Sequence, residues 1–347
     1  MEIRNVFYFK KISYIGGCES WFWYLSKKYK NMIIYYKEGH PDQIKRLAQN
    51  VEVRKYKENE IIECDNFFCC YNPDIIDNVH AKMYAHIIHC DYKNVWFKPF
   101  LNEKFDKYIA VSKLAGESFK ELTGKDYELI YNPISIDRPK TEKYNDGILH
   151  LISATRLTKE KGLKRMQILA KKLDKAGVKY IWEIYTNRRR EAVGNNAVYK
   201  EPKLDITKEI AKADYLVQLS DCESYCYSVV EALMVGTPVI VTDLPVFKEL
   251  GVKHGENAVI CNMEMSNVDL DYIKLKLKEF NYNPPEDKWS KYLAKDSSYD
   301  PNDKTTVRTL KKYTDIVLGR LDRYKEYEMT KARASYLESK GLVEICD

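Results

Sequence analysis

A stretch in the second half of the chain, residues 221–249, constrains the fold more than any other. It reads DCESYCYSVVEALMVGTPVIVTDLPVFKE. Residues 225–235 have the pattern of a helix, and Gly236-Thr237-Pro238 ends it, because glycine and proline both terminate helices. The apolar run 239–241 then predicts a short strand buried on both faces. A helix that leads directly into a buried strand is typical of a parallel α/β sheet.

Two carboxylates flank the start of this helix. Glu223 precedes it, and Glu231 lies about two turns inside it, with seven residues between them. The free amides of a first helical turn can face an anion, and a carboxylate accepts hydrogen bonds from the vicinal hydroxyls of a ribose or a hexose. An anion with two sets of hydroxyls describes a nucleotide sugar. The alternative is a helix with two solvated acids, which an isolated pair at this spacing would favour.

Strand-like and helical patterns alternate along most of the chain, which predicts parallel sheets. The polar segment 138–147, RPKTEKYNDG, is a candidate linker between two domains. We therefore predict an α/β protein with two Rossmann-like, doubly wound domains that face each other across a cleft. Their predicted limits are residues 1–140 and 148–284. A helix is predicted at residues 270–280, close to the end of the second domain.

The region after Pro284-Pro285 is predicted as a C-terminal helical extension, residues 285–347, that packs back on the body of the protein. Five side chains in it keep a three-to-four residue spacing typical of a helix: Leu310, Tyr313, Val317, Leu321 and Tyr324. Oligomerisation through this extension is an alternative role.

Composition limits the partners. The chain has 347 residues and a net charge of +6 from 57 basic and 51 acidic side chains. This mild excess suits an anionic ligand or an anionic membrane surface and does not favour nucleic acid. Nine scattered cysteines, several within apolar runs, indicate reduced thiols in a cytoplasmic protein. Neither a membrane span nor a secretory signal is predicted, and the cysteine spacing does not suggest a zinc site.

Two loops could bind phosphate. Gly16-Gly17 follows a predicted strand and precedes an aromatic helix, so the backbone there can approach a ligand closely; a plain tight turn is the alternative. Arg156 and Lys161 lie in one loop between a predicted strand and the predicted helix 163–176. Arginine offers a planar fork and lysine a mobile charge to phosphate oxygens, while two solvated surface cations are the alternative.

These motifs resemble those of the retaining glycosyltransferases of family 4, which have the GT-B fold. The resemblance rests on Glu223, Glu231 and the Gly-Thr-Pro-Val-Ile that follows, and on the spacing of Arg156 and Lys161. It implies metal-independent transfer of a hexose from a nucleotide-diphosphate sugar, with UDP-sugar as the default donor, and no cofactor. The acceptor it implies is a hydroxyl of a glycan or lipid-linked glycan, as in surface polysaccharide biosynthesis.

The resemblance also implies residue roles. Glu223 would contact the donor sugar, and Glu231 the ribose. Arg156 and Lys161 would clamp the diphosphate, and Gly16-Gly17 would face the donor phosphates and the acceptor.

Further roles follow from the same resemblance. The amides of Tyr225, Cys226 and Tyr227 would cradle phosphate. The family usually has Gly-Phe-Gly after the first glutamate, so the bulkier Ser224 to Tyr227 are expected to reshape the sugar pocket. His89, at the end of a predicted strand, would lie near the donor sugar without acting as a base, and Glu19 would contact the acceptor.

Three alternatives stay open. A nucleotide-sugar 2-epimerase shares the fold, and a non-catalytic nucleotide-sugar-binding scaffold would keep it without activity. Peripheral contact with an anionic membrane is suggested by the basic residues of helix 163–176 and by Trp21-Phe22-Trp23. Placement of these residues in the core and on the solvated surface is the other interpretation.

Overall fold

The computed structural model describes residues 4–187, 191–275, 277, 279–294, 304–310, 313–315, 319–322, 324–339 and 341–346. Its N-terminal part contains an all-parallel seven-stranded sheet of order β5-β3-β1-β6-β7-β8-β9, with a small parallel β2-β4 pair beside it. The elements are β1 (Asn5–Tyr8), β2 (Lys11–Ile12), α1 (Gly17–Lys28), β3 (Met32–Tyr36), β4 (Glu38–Gly39), α2 (Pro41–Ala48), β5 (Glu52–Lys55), β6 (Ile62–Cys70), β7 (Val79–Ile88), β8 (Lys107–Ala110), α3 (Lys113–Thr123) and β9 (Glu128–Leu129).

A second parallel sheet, of six strands, follows in the order β12-β11-β10-β13-β14-β15. Its elements are β10 (Leu149–Ala154), α4 (Leu163–Lys175), β11 (Tyr180–Tyr185), β12 (Ala197–Lys200), α5 (Thr207–Lys212), β13 (Tyr215–Gln218), α6 (Tyr227–Met234), β14 (Val239–Thr242), α7 (Pro245–Glu249), β15 (Ala258–Cys261) and α8 (Leu270–Lys274). The predicted fold class is confirmed, because both sheets are parallel and have helices between their strands.

The chain returns to the N-terminal sheet after the second one. Trp289 is fully buried, and its ring lies 6.0 Å from that of Phe7 and 5.5 Å from that of Trp21. Asp287 accepts hydrogen bonds from Lys28 at 2.5 Å and from the Tyr29 hydroxyl at 2.6 Å. Residues 287–289 therefore join the last part of the chain to α1.

The predicted helical extension is wrong over most of its described residues. Strands β16, β19 and β20 form an antiparallel sheet and β17-β18 a hairpin, with one helix, α9. Along β16, Val307 and Thr309 are buried while Thr306 and Arg308 are exposed, which is the period of a strand. The helical spacing was therefore misleading, and Val317 lies outside the described residues. The ranges are β16 (Lys304–Thr309), β17 (Tyr313–Asp315), β18 (Gly319–Leu321), β19 (Glu326–Thr330), α9 (Lys331–Ser339) and β20 (Val343–Cys346).

One helix boundary also differs from its prediction. The helix predicted at 270–280 ends at Lys274 as α8. Leu275, the next residue, is exposed, and the Leu277 amide donates to the Tyr215 hydroxyl at 3.2 Å, so the chain there is tied to β13.

Candidate functional site

A cleft of about 1130 Å³ lies between the two parallel sheets. Loops that follow β1, β6 and β7 form one wall, and loops that follow β10, β11 and β13 form the other. Ligands of open α/β sheets bind at the carboxyl ends of the strands, so this is where a ligand is expected. All the predicted site residues line it: Gly16, Gly17, Glu19, His89, Arg156, Lys161, Glu223, Ser224, Tyr225, Cys226, Tyr227 and Glu231.

Lys161 and Glu223 form an ion pair at the floor of this cleft, with 2.6 Å between Nζ and Oε1. The same oxygen accepts hydrogen bonds from Ser220 Oγ at 2.7 Å and Gln218 Nε2 at 3.2 Å. Burial lowers the pKa of Lys161, but the nearby Glu223 carboxylate outweighs it and holds that pKa above its ordinary value. Lys161 is therefore a permanent cation, and Glu223 is an oriented acceptor.

Gly162 sets the position of Lys161. Its φ is +80°, and a Cβ there would lie 1.8 Å from the carbonyl oxygen of Leu219, at the end of β13. Only glycine allows this approach. The Asp221 amide also donates to the Glu160 carbonyl at 2.9 Å. The lysine loop is thereby fastened to the segment that carries Glu223.

Arg156 lies on the same wall of the cleft as Lys161 but is more exposed to solvent. Its side chain is 54% exposed, and its nearest carboxylate, on Glu160, is 3.7 Å away. An exposed pair at that distance contributes little. The guanidinium is thus available to an anion in the cleft.

The start of α6 differs from its prediction. The helix begins at Tyr227 rather than at 225, after Cys226, whose φ is +74°. The hydroxyls of Tyr225 and Tyr227 donate to the carbonyls of Asn132 and Pro133, at 3.2 and 3.0 Å. Both tyrosine rings are buried, so they tie α6 to the connection that follows β9.

Cys226 lies in the left-handed region that normally requires glycine, at a cost of roughly 1–2 kcal/mol. We expect Cys226→Gly to be more stable than Cys226→Ala by about 1 kcal/mol, since both remove the sulfur and only glycine relieves the backbone. Thermal unfolding of the two variants tests this. An alanine variant as stable as the glycine variant would contradict it.

His89 is a neutral side chain deep in the cleft. Its Nε2 lies 3.1 Å from the sulfur of Cys70, and its ring packs edge-on against Trp21 at 5.1 Å. Burial, with a smaller contribution from His86, lowers its pKa to about 3. It can therefore offer a hydrogen bond but no positive charge near neutral pH.

The Glu19 carboxylate packs against the glycine loop. Its carboxylate accepts from the Ser13 amide at 2.7 Å and lies so close to Gly16 that a Cβ there would be 2.2 Å from Oε2. A side chain at residue 16 would displace this carboxylate. Gly17 meets no such neighbour.

Glu231 lies on α6 and is bonded across the cleft. The hydroxyl of Tyr24, on α1, donates to its Oε1 at 2.9 Å. Burial raises the pKa of Glu231 to about 7; nearby Asp205 raises it further, while Tyr24 and Arg46 oppose the shift. Tyr24 was missed because it stands in the run WFWYL, which has the composition of a core helix.

This pKa predicts how stability depends on pH. An unfolded glutamate titrates near 4.5, so the folded protein holds the extra proton between about pH 4.5 and 7, and stability falls as pH rises through that window. Glu231→Gln does not titrate. We expect its stability relative to the natural protein to rise by about 2–3 kcal/mol from pH 5 to pH 8, measured by chemical unfolding. The exposed Glu264→Gln is the control, and a parallel change in both variants would contradict this assignment.

Two further contacts join the two halves of the chain. Ser224 Oγ accepts from the amide of Asp91 at 2.8 Å. Glu249 accepts from the amides of Lys113 and Leu114 at 2.5 and 3.2 Å, at the start of α3, where a carboxylate interacts favourably with the helix dipole. Ser224 also lines the cleft, so its contact with the donor stays a prediction. No local pattern indicates Glu249, because its partners are distant in sequence.

Two of the three aromatic residues proposed for membrane contact lie in the core, since Trp21 and Phe22 are fully buried. Trp23 is half-buried and lines the cleft, and the guanidinium of Arg46 covers its ring at 4.0 Å. Contact of the protein with an anionic membrane stays a prediction. In the described part of the chain, every helix is too short or too polar to span a bilayer.

The fold is that of the GT-B glycosyltransferases. Similar solved structures include Anabaena Alr3699/HepE in complex with UDP-glucose, 16% identical, with a TM-score of 0.62 over 79% of this chain and 92% of that one. A glycosyltransferase from Rickettsia africae ESF-5 is 12% identical, with a TM-score of 0.57 over 80% and 92% of the two chains. The lipopolysaccharide outer core galactosyltransferase WaaB is 16% identical, with a TM-score of 0.52 over 79% and 89%.

The sequence comparison is more specific for the second half of the chain. Residues 134–279 match the family model described as "Glycosyl transferases group 1". The matched segment holds Arg156, Lys161, Glu223 and Glu231. No curated protein matches the chain in sequence.

Proposed function

We propose that the protein transfers a hexose from a nucleotide-diphosphate sugar, with UDP-sugar as the expected donor, to a hydroxyl of a glycan or lipid-linked glycan. The observation that carries the proposal is the Lys161–Glu223 pair in a cleft that also contains Arg156 and Glu231. A sugar nucleotide has an anionic diphosphate and two sets of hydroxyls, and the cleft offers cations and carboxylates to match them.

Arg156 and Lys161 would bind the diphosphate and stabilise the charge that develops on the leaving phosphate as the glycosidic bond breaks. Preorganised charge of this kind is often the largest contribution to catalysis. With these two cations to neutralise the diphosphate, the proposed reaction is metal-independent. Glu223, held by Ser220 and Gln218, would hold sugar hydroxyls, and Glu231 those of the ribose.

The stereochemical course proposed is retention. Glu223 is the carboxylate in the described walls of the cleft that could act as a nucleophile. Lys161, Ser220 and Gln218 all donate hydrogen bonds to its Oε1, which favours a role in orienting the sugar over one as a nucleophile. The leaving phosphate would then take the proton of the acceptor hydroxyl on the same face of the sugar. His89, neutral at physiological pH, would hydrogen-bond the sugar without removing a proton.

The two halves of the chain would bind different substrates. The donor would bind to the domain at residues 148–284, and the acceptor would lie over residues 1–140, near Gly16-Gly17 and Glu19. A role in surface polysaccharide assembly on the cytoplasmic side is part of the same proposal.

A thermal-shift panel of nucleoside diphosphates and their sugars tests the donor site. We expect UDP and a UDP-hexose to raise the unfolding temperature, since a ligand that binds only the folded state stabilises it. Stabilisation by none of the panel would overturn the proposal. Free epimerised sugar nucleotide formed without an acceptor would instead favour the 2-epimerase, and binding without turnover the scaffold.

A further inference from the structure

The hydrogen bond between Tyr24 and Glu231 joins the two walls of the cleft at one of its proposed ligand groups. Tyr24 is on α1, in the same helix that starts at Gly17, and Glu231 is on α6. The contact spans 207 positions of sequence at 2.9 Å. Glu231 is thus held by the opposite wall of the cleft.

The phenol has little freedom. Tyr24 is only 5% exposed, and its ring stacks on that of Tyr227, with centroids 5.3 Å apart and planes 20° apart. Burial, and then the neighbouring Glu231, hold the pKa of Tyr24 well above its ordinary value. The hydroxyl therefore keeps its proton and acts as the donor.

The carboxylate has acceptor positions left over. Above its pKa of about 7, Glu231 is ionised and has two oxygens with about four lone-pair sites, of which Tyr24 occupies one on Oε1. The second oxygen and the remaining lone pairs suffice for two vicinal hydroxyls. A carboxylate held at one oxygen also loses less rotational freedom when it binds a ligand.

Other charges near Glu231 would compete for it if the phenol were absent. Arg46 and Asp205 both act on it electrostatically, and Arg46 lies over Trp23. The Arg46 guanidinium in turn interacts electrostatically with Asp205 and Glu231. Without Tyr24, the carboxylate would be free to turn toward this guanidinium.

We propose that Tyr24 is a positioning residue for the nucleoside: by holding Oε1 of Glu231, it presents the rest of that carboxylate to the 2′- and 3′-hydroxyls of the ribose. This inference rests on the proposed function, since it concerns the same donor. It also joins ribose recognition to the placement of α1 and the glycine loop, so that the N-terminal wall contributes to nucleotide affinity.

Isothermal titration of Tyr24→Phe at pH 8, where Glu231 is mainly ionised, with UDP and with 2′,3′-dideoxy-UDP tests the proposal. The substitution keeps the ring stack and removes only the hydroxyl. We expect UDP to bind about 10-fold more weakly, as for loss of a hydrogen bond to a charged group, and dideoxy-UDP to bind equally to both proteins. A loss of structure would weaken both ligands alike. Tyr144→Phe, an exposed tyrosine distant in sequence from both helices, is the matched control.

The outcomes separate the two claims. UDP affinity in Tyr24→Phe within twofold of the natural protein, or an equal loss for both ligands, would overturn the role of Tyr24 and leave the donor site intact. If the natural protein did not bind UDP at all, the proposed function itself would fail for this donor, and the role of Tyr24 with it.

Discussion

Lys161→Ala is expected to lower kcat about 10²–10³-fold, the usual effect of removing one preorganised group that stabilises transition-state charge. The side chain is only 20% exposed and lies 2.6 Å from Glu223, so its charge acts where water screens it weakly. Its loss also leaves Glu223 partly buried without a counter-charge, which should destabilise the protein by about 1–3 kcal/mol. Steady-state transfer from the donor sugar and chemical unfolding measure the two effects.

The double variant Lys161→Ala with Glu223→Gln separates stability from catalysis. It removes both charges, so we expect much of the lost stability to return while transfer stays low. Lys159→Ala, an exposed lysine of the same loop, is the matched control and should leave both quantities unchanged. Full activity in Lys161→Ala would show that the diphosphate is neutralised elsewhere.

Gly162→Ala is expected to have the largest effect on stability, at least about 3 kcal/mol. The new Cβ would bring a left-handed backbone penalty of roughly 1–2 kcal/mol and a clash with the Leu219 carbonyl, 1.8 Å away. Relief of that clash requires the lysine loop to move away from β13. Because Lys161 is the adjacent residue, the variant should lose nucleotide binding as well as stability. Nucleotide titration measures the first effect and chemical unfolding the second.

Gly177→Ala is a matched control within the same domain. Gly177 also has a positive φ, +64°, but a Cβ there would meet nothing within 4 Å. It should cost only the backbone penalty and leave nucleotide binding intact. Equal losses in both variants would mean that the contact with Leu219 does not position Lys161.

Local sequence signals located most of the fold. Helix α4 (Leu163–Lys175) and strand β14 (Val239–Thr242) each differ by a single residue from their predictions, 163–176 and 239–241. These elements have clear apolar periods and strong end signals, which depend only on neighbouring residues. The helix prediction for the C-terminal extension was wrong because it too relied on neighbouring residues. The sequence there fits both the alternation of a strand and the spacing of a helix, and pairing between distant strands favours the strand.

Residues close together in the chain were enough to predict the parallel α/β class and the short motifs that carry the charged and polar side chains. The partners of those side chains depend on the folded chain. In it, the hydroxyls of Tyr225 and Tyr227 donate to the connection after β9, Ser224 and Glu249 join the two halves of the chain, and Tyr24 holds Glu231. These contacts span tens to hundreds of residues, and no local pattern encodes which distant partner a polar group meets when the chain closes around the cleft.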